Sequence, residues 1–214
     1  MIIFAPAYDP PTKANLIIAK LIATPTCIGL FETKATRQEF IAALSQANLP
    51  LFAMSHGERD ALKAQNGEIA LSNHDIHLLG QRNVYAFACH TAAQLGKSAA
   101  EAGSIWWGYS DIISCAMDSP SVNSIFAEIF TFIRNNFHTA ISSQQRQSML
   151  DQLKNMCEEA EYQIDRIDEE TKMEEIMEVY RTLHHIWDRL RIWIPDAQDP
   201  ERHPDSSGPF FPWP

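Results

Sequence analysis

Two apolar runs in this chain end in side chains able to do covalent chemistry. Leu51-Phe52-Ala53-Met54-Ser55-His56-Gly57 stops at an imidazole, and Val84-Tyr85-Ala86-Phe87-Ala88-Cys89-His90 stops at a thiol. If the runs are neighbouring parallel strands, His56 and Cys89 share one edge of one sheet, which is the layout of a cysteine hydrolase. A thiolate attacks a carbonyl carbon, an imidazole moves the proton, and backbone N–H groups hold the oxyanion. Cys89 stands where the strand gives way to a helix expected over residues 91–102, and the positive end of that helix favours a thiolate. Gly57 has no Cβ and lets a substrate carbonyl approach, so the N–H groups of Gly57 and Cys89 are the expected oxyanion hole. The histidine precedes the nucleophile and no Gly-x-Cys-x-Gly elbow occurs, which argues against the α/β-hydrolase arrangement. On this reading Cys89 alkylates faster than Cys27, Cys115 and Cys157, and does so below neutral pH.

A sheet must hold those two strand ends side by side. Residues 2–5 form a short apolar strand, and after a Pro10-Pro11 turn Ala14, Ile17, Ile18 and Leu21 share one helical face. Residues 27–31 read as a second strand. Thr36 and Glu39 are spaced as a capping box before the helical positions Phe40, Ala43 and Leu44. Residues 49–55 form the third strand, 58–72 a loop, 75–79 a short helix, 84–88 the fourth strand and 104–108 the fifth. Strand and helix units with fully apolar strands imply an α/β fold, a mainly parallel sheet with helices on both faces. Ligands bind such sheets beyond the carboxyl ends of the strands, where His56 and Cys89 lie.

The second half is helical. Val122, Ile125, Phe126, Ile129, Phe130 and Ile133 make one broad apolar face, and residues 142–193 contain neither Gly nor Pro. There apolar residues recur in heptad style, from Leu150, Leu153, Cys157, Ala160, Ile164 and Ile167 to Ile176, Val179, Leu183, Trp187 and Leu190. Residues 168–172 interrupt the pattern and Thr171 to Glu174 is a second capping-box candidate, so two helices in a hairpin are expected. The division is residues 1–140 as the sheet domain, 141–194 as a helical C-terminal annex and 195–214 as a Pro and aromatic-rich tail. Six of the twelve prolines fall in that tail, which is either disordered or an extended strap with docked aromatic residues.

Composition narrows the partners. A formal charge of −10 with no run of Lys or Arg argues against a phosphate-neutralising surface, so nucleic acid is not expected. No segment approaches the roughly 20 apolar residues of a membrane span. The first residues lack the basic region of a signal peptide, so the chain reads as cytoplasmic with no membrane partner. Four cysteines without a C-x-x-C pair suggest free thiols rather than a zinc site or disulfide framework. His74 and His77 lack a third ligand of suitable spacing, one ring at most of His184 and His185 faces inward, and Met149, Met156, Met173 and Met177 read as packing residues. No glycine-rich nucleotide loop occurs, and no cofactor or metal is expected.

His-Gly after one hydrophobic block and Ala-Cys after the next, 33 positions apart, resembles the caspase-like (clan CD) cysteine peptidases. Residues 86–96, followed by 99–109, are similar to the bacterial CHAT-type segment that carries the nucleophile, crosses a helix and enters the next strand. The resemblance spans roughly residues 1–115, and the helical half has no counterpart in it. It implies a caspase-like fold, a His56 and Cys89 dyad, and cleavage of protein or peptide substrates through an acyl-enzyme. It also implies regulation, with an activating protein partner and a setting in bacterial defence or cell death. The alternative is a catalytically silent relative acting as a protein-binding adaptor. For specificity, period-2 alternation puts Phe87 on the side of Cys89, where relatives carry an acid or a glutamine. Asp9 and Asp111 are the acids that could line the pocket, against a reading of each as a solvated loop residue. Trp106 and Trp107 lie on opposite faces of the fifth strand, one beside the substrate and one in the core. Trp106 is carried as the candidate, although alternation leaves the choice open.

Overall fold

Strands of four or five residues that are apolar on both faces need cover on both, and this chain supplies it from two sets of helices. The structure is a computed structural model and describes residues 1–46, 48–113, 115, 119–166 and 173–207, without the side chains of 173–175. In chain order the elements are β1 (Ile2–Ala5), α1 (Pro10–Ile22), β2 (Ile28–Phe31), α2 (Arg37–Gln46), β3 (Leu51–Met54), β4 (Ala61–Lys63) and β5 (Ile69–Ser72). They continue as β6 (Asn83–Phe87), α3 (Leu95–Glu101), β7 (Ile105–Tyr109), α4 (Pro120–Asn136), α5 (Ser143–Ile164), α6 (Met173–Asp188) and β8 (Leu190–Trp193). Six strands form one sheet in the order β2-β1-β3-β6-β7-β8. All pairs are parallel except β7 with β8. The molecule is therefore mixed α/β around a mostly parallel sheet.

Alternation divides the strand residues between two cores. Ile3, Phe52, Met54, Tyr85, Phe87, Trp107 and Tyr109 face α1, α4, α5 and α6. Ile2, Phe4, Leu51, Ala53, Val84, Ala86 and Trp106 face α2, α3 and the β4-β5 hairpin. Leu150, Leu153 and Cys157 of α5 and Val179, Leu183 and Ile186 of α6 belong to the first of these cores. The helical hairpin of residues 141–194 thus packs as a layer on the sheet and has no separate core. Among the described residues no helix is long and apolar enough to cross a membrane.

Several expectations change. Helix α6 stops at Asp188, and residues 190–193 form β8 although Leu190 continues the heptad pattern. The reason is the sheet: β7 needs a partner on its outer side, and β8 pairs Ile192 with Trp107 and Trp193 with Trp106. Residues 58–72 contain the β4-β5 hairpin rather than a plain loop. Pro10 and Pro11 open α1 instead of turning ahead of it, since the first helical turn has no use for their missing N–H groups. The helix after Cys89 begins only at Leu95, and residues 89–94 are turns. Met149 is buried and Met156 packs on the core, but Met177 is exposed. Thr36 accepts from the Glu39 N–H as expected, whereas Met173 and the candidate cap at 171–174 have side chains outside the described residues. Of the tail, residues 195–207 are a strap: Glu201 bridges Ile192, the Arg146 guanidinium grips the Glu201 carboxylate at 2.6 and 2.8 Å, and Lys154 holds Asp205. This covers the open edge of β8. Residues 208–214, with their aromatic side chains, lie outside the described residues.

Candidate active site

Strand order reverses between β1 and β3, since β2 lies on one side of β1 and the rest of the sheet on the other. In a parallel sheet this switch opens a crevice beyond the carboxyl ends. Asp9 follows β1 there and His56 follows β3. Their side chains meet, with His56 Nε2 2.7 Å from Asp9 Oδ2. Asp9 is itself fixed as the N-cap of α1: its Oδ1 accepts the Thr12 N–H at 3.0 Å, and the Thr12 hydroxyl accepts the Asp9 N–H at 3.1 Å. Burial raises the Asp9 carboxyl, but the hydrogen bonds from Thr12 and His56 outweigh it and leave the pKa below the usual carboxylate value. An ionised carboxylate can only accept, so His56 Nε2 carries the proton of this hydrogen bond.

The β4-β5 hairpin holds the backbone around His56. Lys63 N–H donates to the His56 carbonyl at 3.0 Å, the Ser55 hydroxyl to the Lys63 carbonyl, and Glu58 N–H to Ala61. The Tyr8 ring lies 5.8 Å from the His56 ring, centroid to centroid. Burial, with the carboxylates of Asp9 and Glu58, pushes the Tyr8 phenol up, so it stays neutral.

Cys89 sits two residues beyond β6, in the turn that follows it. The ends of β3 and β6 stay in register past the strands, with Ser55 N–H donating to the Phe87 carbonyl. Gly57 is packed against the backbone of Cys89. A Cβ at that position would come within 2.4 Å of the Cys89 carbonyl oxygen and 2.6 Å of the Thr91 methyl. The missing side chain thus makes room for the neighbouring strand end, where a substrate carbonyl was expected.

The Cys89 sulfur is engaged by residues that follow β7. Its thiol donates to the Ile113 carbonyl at 3.3 Å, and the Ile113 N–H donates back to the sulfur at 3.4 Å. Burial pushes the Cys89 thiol up, with a further contribution from the Asp111 carboxylate. The turn at residues 89–94 separates Cys89 from α3, which corrects the expectation that Cys89 stands at a helix N-terminus. Among the described residues no hydrogen bond joins the His56 ring to the sulfur, so each reactive group holds another partner. The next residue, His90, has φ 58°, a left-handed conformation a non-glycine residue adopts under constraint. Its N–H donates to the Asp111 carbonyl.

The residues proposed for substrate contact divide. Asp9 is bonded to His56. Asp111 borders a cleft of about 220 Å³ between residues 111–113 and α6, with Glu178, Arg181 and His185 opposite. Phe87 is fully buried against Phe130 and Tyr109, at 4.8 and 5.5 Å between ring centroids, and takes no part in a substrate surface. The strand ends at Phe87, so strand alternation does not extend to Cys89. Trp106 and Trp107 do point into opposite cores, yet both are fully buried and neither flanks the crevice. Of the other histidines, His77 bonds the His74 carbonyl and His185 the Ile112 carbonyl. Among the described residues no three His, Cys, Asp or Glu side chains gather as metal ligands. The sequence reading passed over Tyr8 and Ile113, since only the folded chain brings them to the crevice. Comparison of the chain with protein-family models, curated proteins and solved structures yields no match.

Proposed function

We propose that this chain is a caspase-like cysteine peptidase, with Cys89 as nucleophile, His56 as proton carrier and Asp9 orienting the imidazole. The observation that supports this reading most is the Asp9 and His56 pair in the switch-point crevice, one strand from Cys89. With Nε2 tied to a carboxylate, Nδ1 takes the thiol proton. The sulfur then attacks the scissile carbonyl carbon, and the C–N bond breaks as Nδ1–H protonates the leaving amine. Water, deprotonated by the same nitrogen, hydrolyses the thioester and frees the sulfur. On this reading the oxyanion is held by backbone N–H groups, with those of Gly57 and Cys89 as the candidates. Asp9 stabilises the imidazolium that forms between the two proton transfers. Activity of this kind fits the regulated defence or cell-death setting that the resemblance implies, with protein substrates and an activating partner.

The test is capture by a library of peptides bearing a thiol-reactive acyloxymethyl ketone, read by intact mass. A stoichiometric adduct on Cys89 that His56→Ala abolishes is the expected result. Equal adducts on Cys27 and Cys89, indifferent to His56, would instead leave the adaptor reading.

A further inference from the structure

Residues 110–113 leave the end of β7 and cross the nucleophile. On one side they are bonded to the turn that carries it: Ile113 to the Cys89 sulfur through both its N–H and its carbonyl, Asp111 to the His90 N–H, and Ser110 to His90 Nδ1 at 3.4 Å. On the other side the end of α6 holds the same residues. The Ser110 N–H and hydroxyl both donate to the Arg189 carbonyl, at 3.0 and 3.2 Å, and His185 Nδ1 donates to the Ile112 carbonyl at 3.2 Å. Arg189 Nε lies 3.9 Å from the Asp111 carboxylate. Yet the Ile112 side chain between these anchors is 63% exposed, and the cleft against α6 runs beneath it. Ile113 alone anchors the segment by a buried side chain, while Ser110 to Ile112 are held by main-chain and polar bonds, so the segment opens at the cost of one core contact rather than of the core as a whole.

We propose that residues 110–113 are an inhibitory cover over Cys89, latched by the end of α6, and that Cys89 reacts only when the cover lifts. The inference deepens the peptidase reading, because it concerns access to that reading's nucleophile. Closed, the cover satisfies the thiol with a backbone amide and leaves His56 bonded to Asp9. Lifted, it frees the sulfur for Nδ1 of His56 and vacates the groove for a substrate main chain. A binder that fills the α6 cleft and separates Ile112 from His185 would act as activator, without touching the dyad.

Alkylation tests the cover without requiring catalysis. The full chain is treated with iodoacetamide and each cysteine peptide is quantified, with half-exposed Cys27 as reference and buried Cys115 and Cys157 as reporters of unfolding. In the resting protein Cys27 labels first. His185→Ala removes one latch bond at a helix position, and Ile113→Pro removes the N–H that binds the sulfur. In each, the Cys89 to Cys27 labelling ratio should rise at least about fivefold, the loss of one hydrogen bond from a local closing equilibrium, with Cys115 and Cys157 still silent. An unchanged ratio in folded His185→Ala overturns the proposal, as does resting Cys89 labelling faster than Cys27. If Ile113→Pro exposes all four thiols it has unfolded, and His185→Ala alone decides. Raised labelling without cleavage of any peptide keeps the cover and removes the peptidase. Cleavage by the wild type with Cys89 already open does the reverse.

Discussion

Replacing Asp9 separates its two jobs, because each carboxylate oxygen does one. Oδ1 caps α1 by accepting from Thr12, and Oδ2 accepts from His56. Asp9→Asn must keep its oxygen toward the Thr12 N–H, which turns the amide NH₂ toward His56 Nε2. That nitrogen becomes the acceptor, the ring proton moves to Nδ1, and on the peptidase reading the nitrogen that must take the thiol proton is already protonated. Reaction then requires breaking that bond, about 1 kcal/mol net, and doing without the carboxylate. The His56 and Asp9 side chains are 36% and 32% exposed, so solvent screening holds the carboxylate's contribution to about 1 kcal/mol or less. Together, about 2 kcal/mol corresponds to a roughly 30-fold fall in kcat/KM. Asp9→Ala loses the cap, about 1 kcal/mol of stability, but presents no wrong donor, so its kcat/KM falls only about fivefold. A chain of this length shifts Tm by roughly 2–4 °C per kcal/mol, so Asp9→Ala should melt a few degrees below Asp9→Asn. The stability order and the activity order are therefore opposite. Calorimetry and steady-state cleavage of one peptide suffice as the assay. An Asp9→Asn variant within about twofold of wild-type kcat/KM would refute the tautomer argument, and so would Ala and Asn falling in the same order in both measurements.

Gly57→Ala places a methyl 2.4 Å from the backbone oxygen of Cys89, which cannot move as a flexible side chain would. It should cost about 1–3 kcal/mol in urea unfolding, and a cost near zero would mean the two strand ends are not packed together as described. In the buried Tyr85 and Tyr109 pair, Tyr109 donates to the Ile186 carbonyl, so Tyr85 donates to Tyr109 across 2.6 Å. Tyr109→Phe orphans the Tyr85 hydroxyl and should cost about 1–3 kcal/mol, whereas Tyr85→Phe leaves Tyr109 satisfied and should cost less; equal costs would reverse that reading. The Arg37 guanidinium on Asp75, with Ser72 hydrogen bonds, holds the Asp75 carboxyl well below its usual value. A depressed folded-state pKa contributes stability that is present above the unfolded value of about 3.9 and lost as pH falls below it. Asp75→Asn should therefore show a smaller drop in urea midpoint from about pH 6 to about pH 3 than the wild type, and an identical drop would contradict the linkage.

Strands β1, β2, β3, β6 and β7 were legible as short apolar runs, and their parallel pairing from the strand and helix units they belong to, whereas β4, β5 and β8 were not. The edge that carries His56 and Cys89 was legible for the same reason. What the sequence hid is what depends on contacts between distant segments. Asp9 lies 47 positions from His56, and only the switch between β1 and β3 brings them together. One local signal was available, since Asp9 and Thr12 have capping-box spacing and would have put Asp9 at a helix start on the sheet edge. Leu190 fits a helical heptad and a strand equally well, and the demand of β7 for a partner chose the strand. Alternation assigned Phe87 to the crevice because it was carried two residues past the end of β6, where a turn redirects the chain. The start of α3 moved for a related reason: residues 89–94 are held in turns by outside partners, among them Tyr109 and Arg59, whose carbonyls take the N–H groups of Ala92, Gln94 and Leu95. No periodicity reports such bonds.

The most direct test of the central claim is cleavage of a diverse peptide library, mapped by mass spectrometry, by the wild type beside Cys89→Ala and His56→Ala. The account expects new termini from the His185→Ala protein, at least about fivefold fewer from the covered wild type, and none when Cys89 or His56 is replaced in either background. Cleavage that survives in Cys89→Ala, or no cleavage even where alkylation shows Cys89 uncovered, would contradict it.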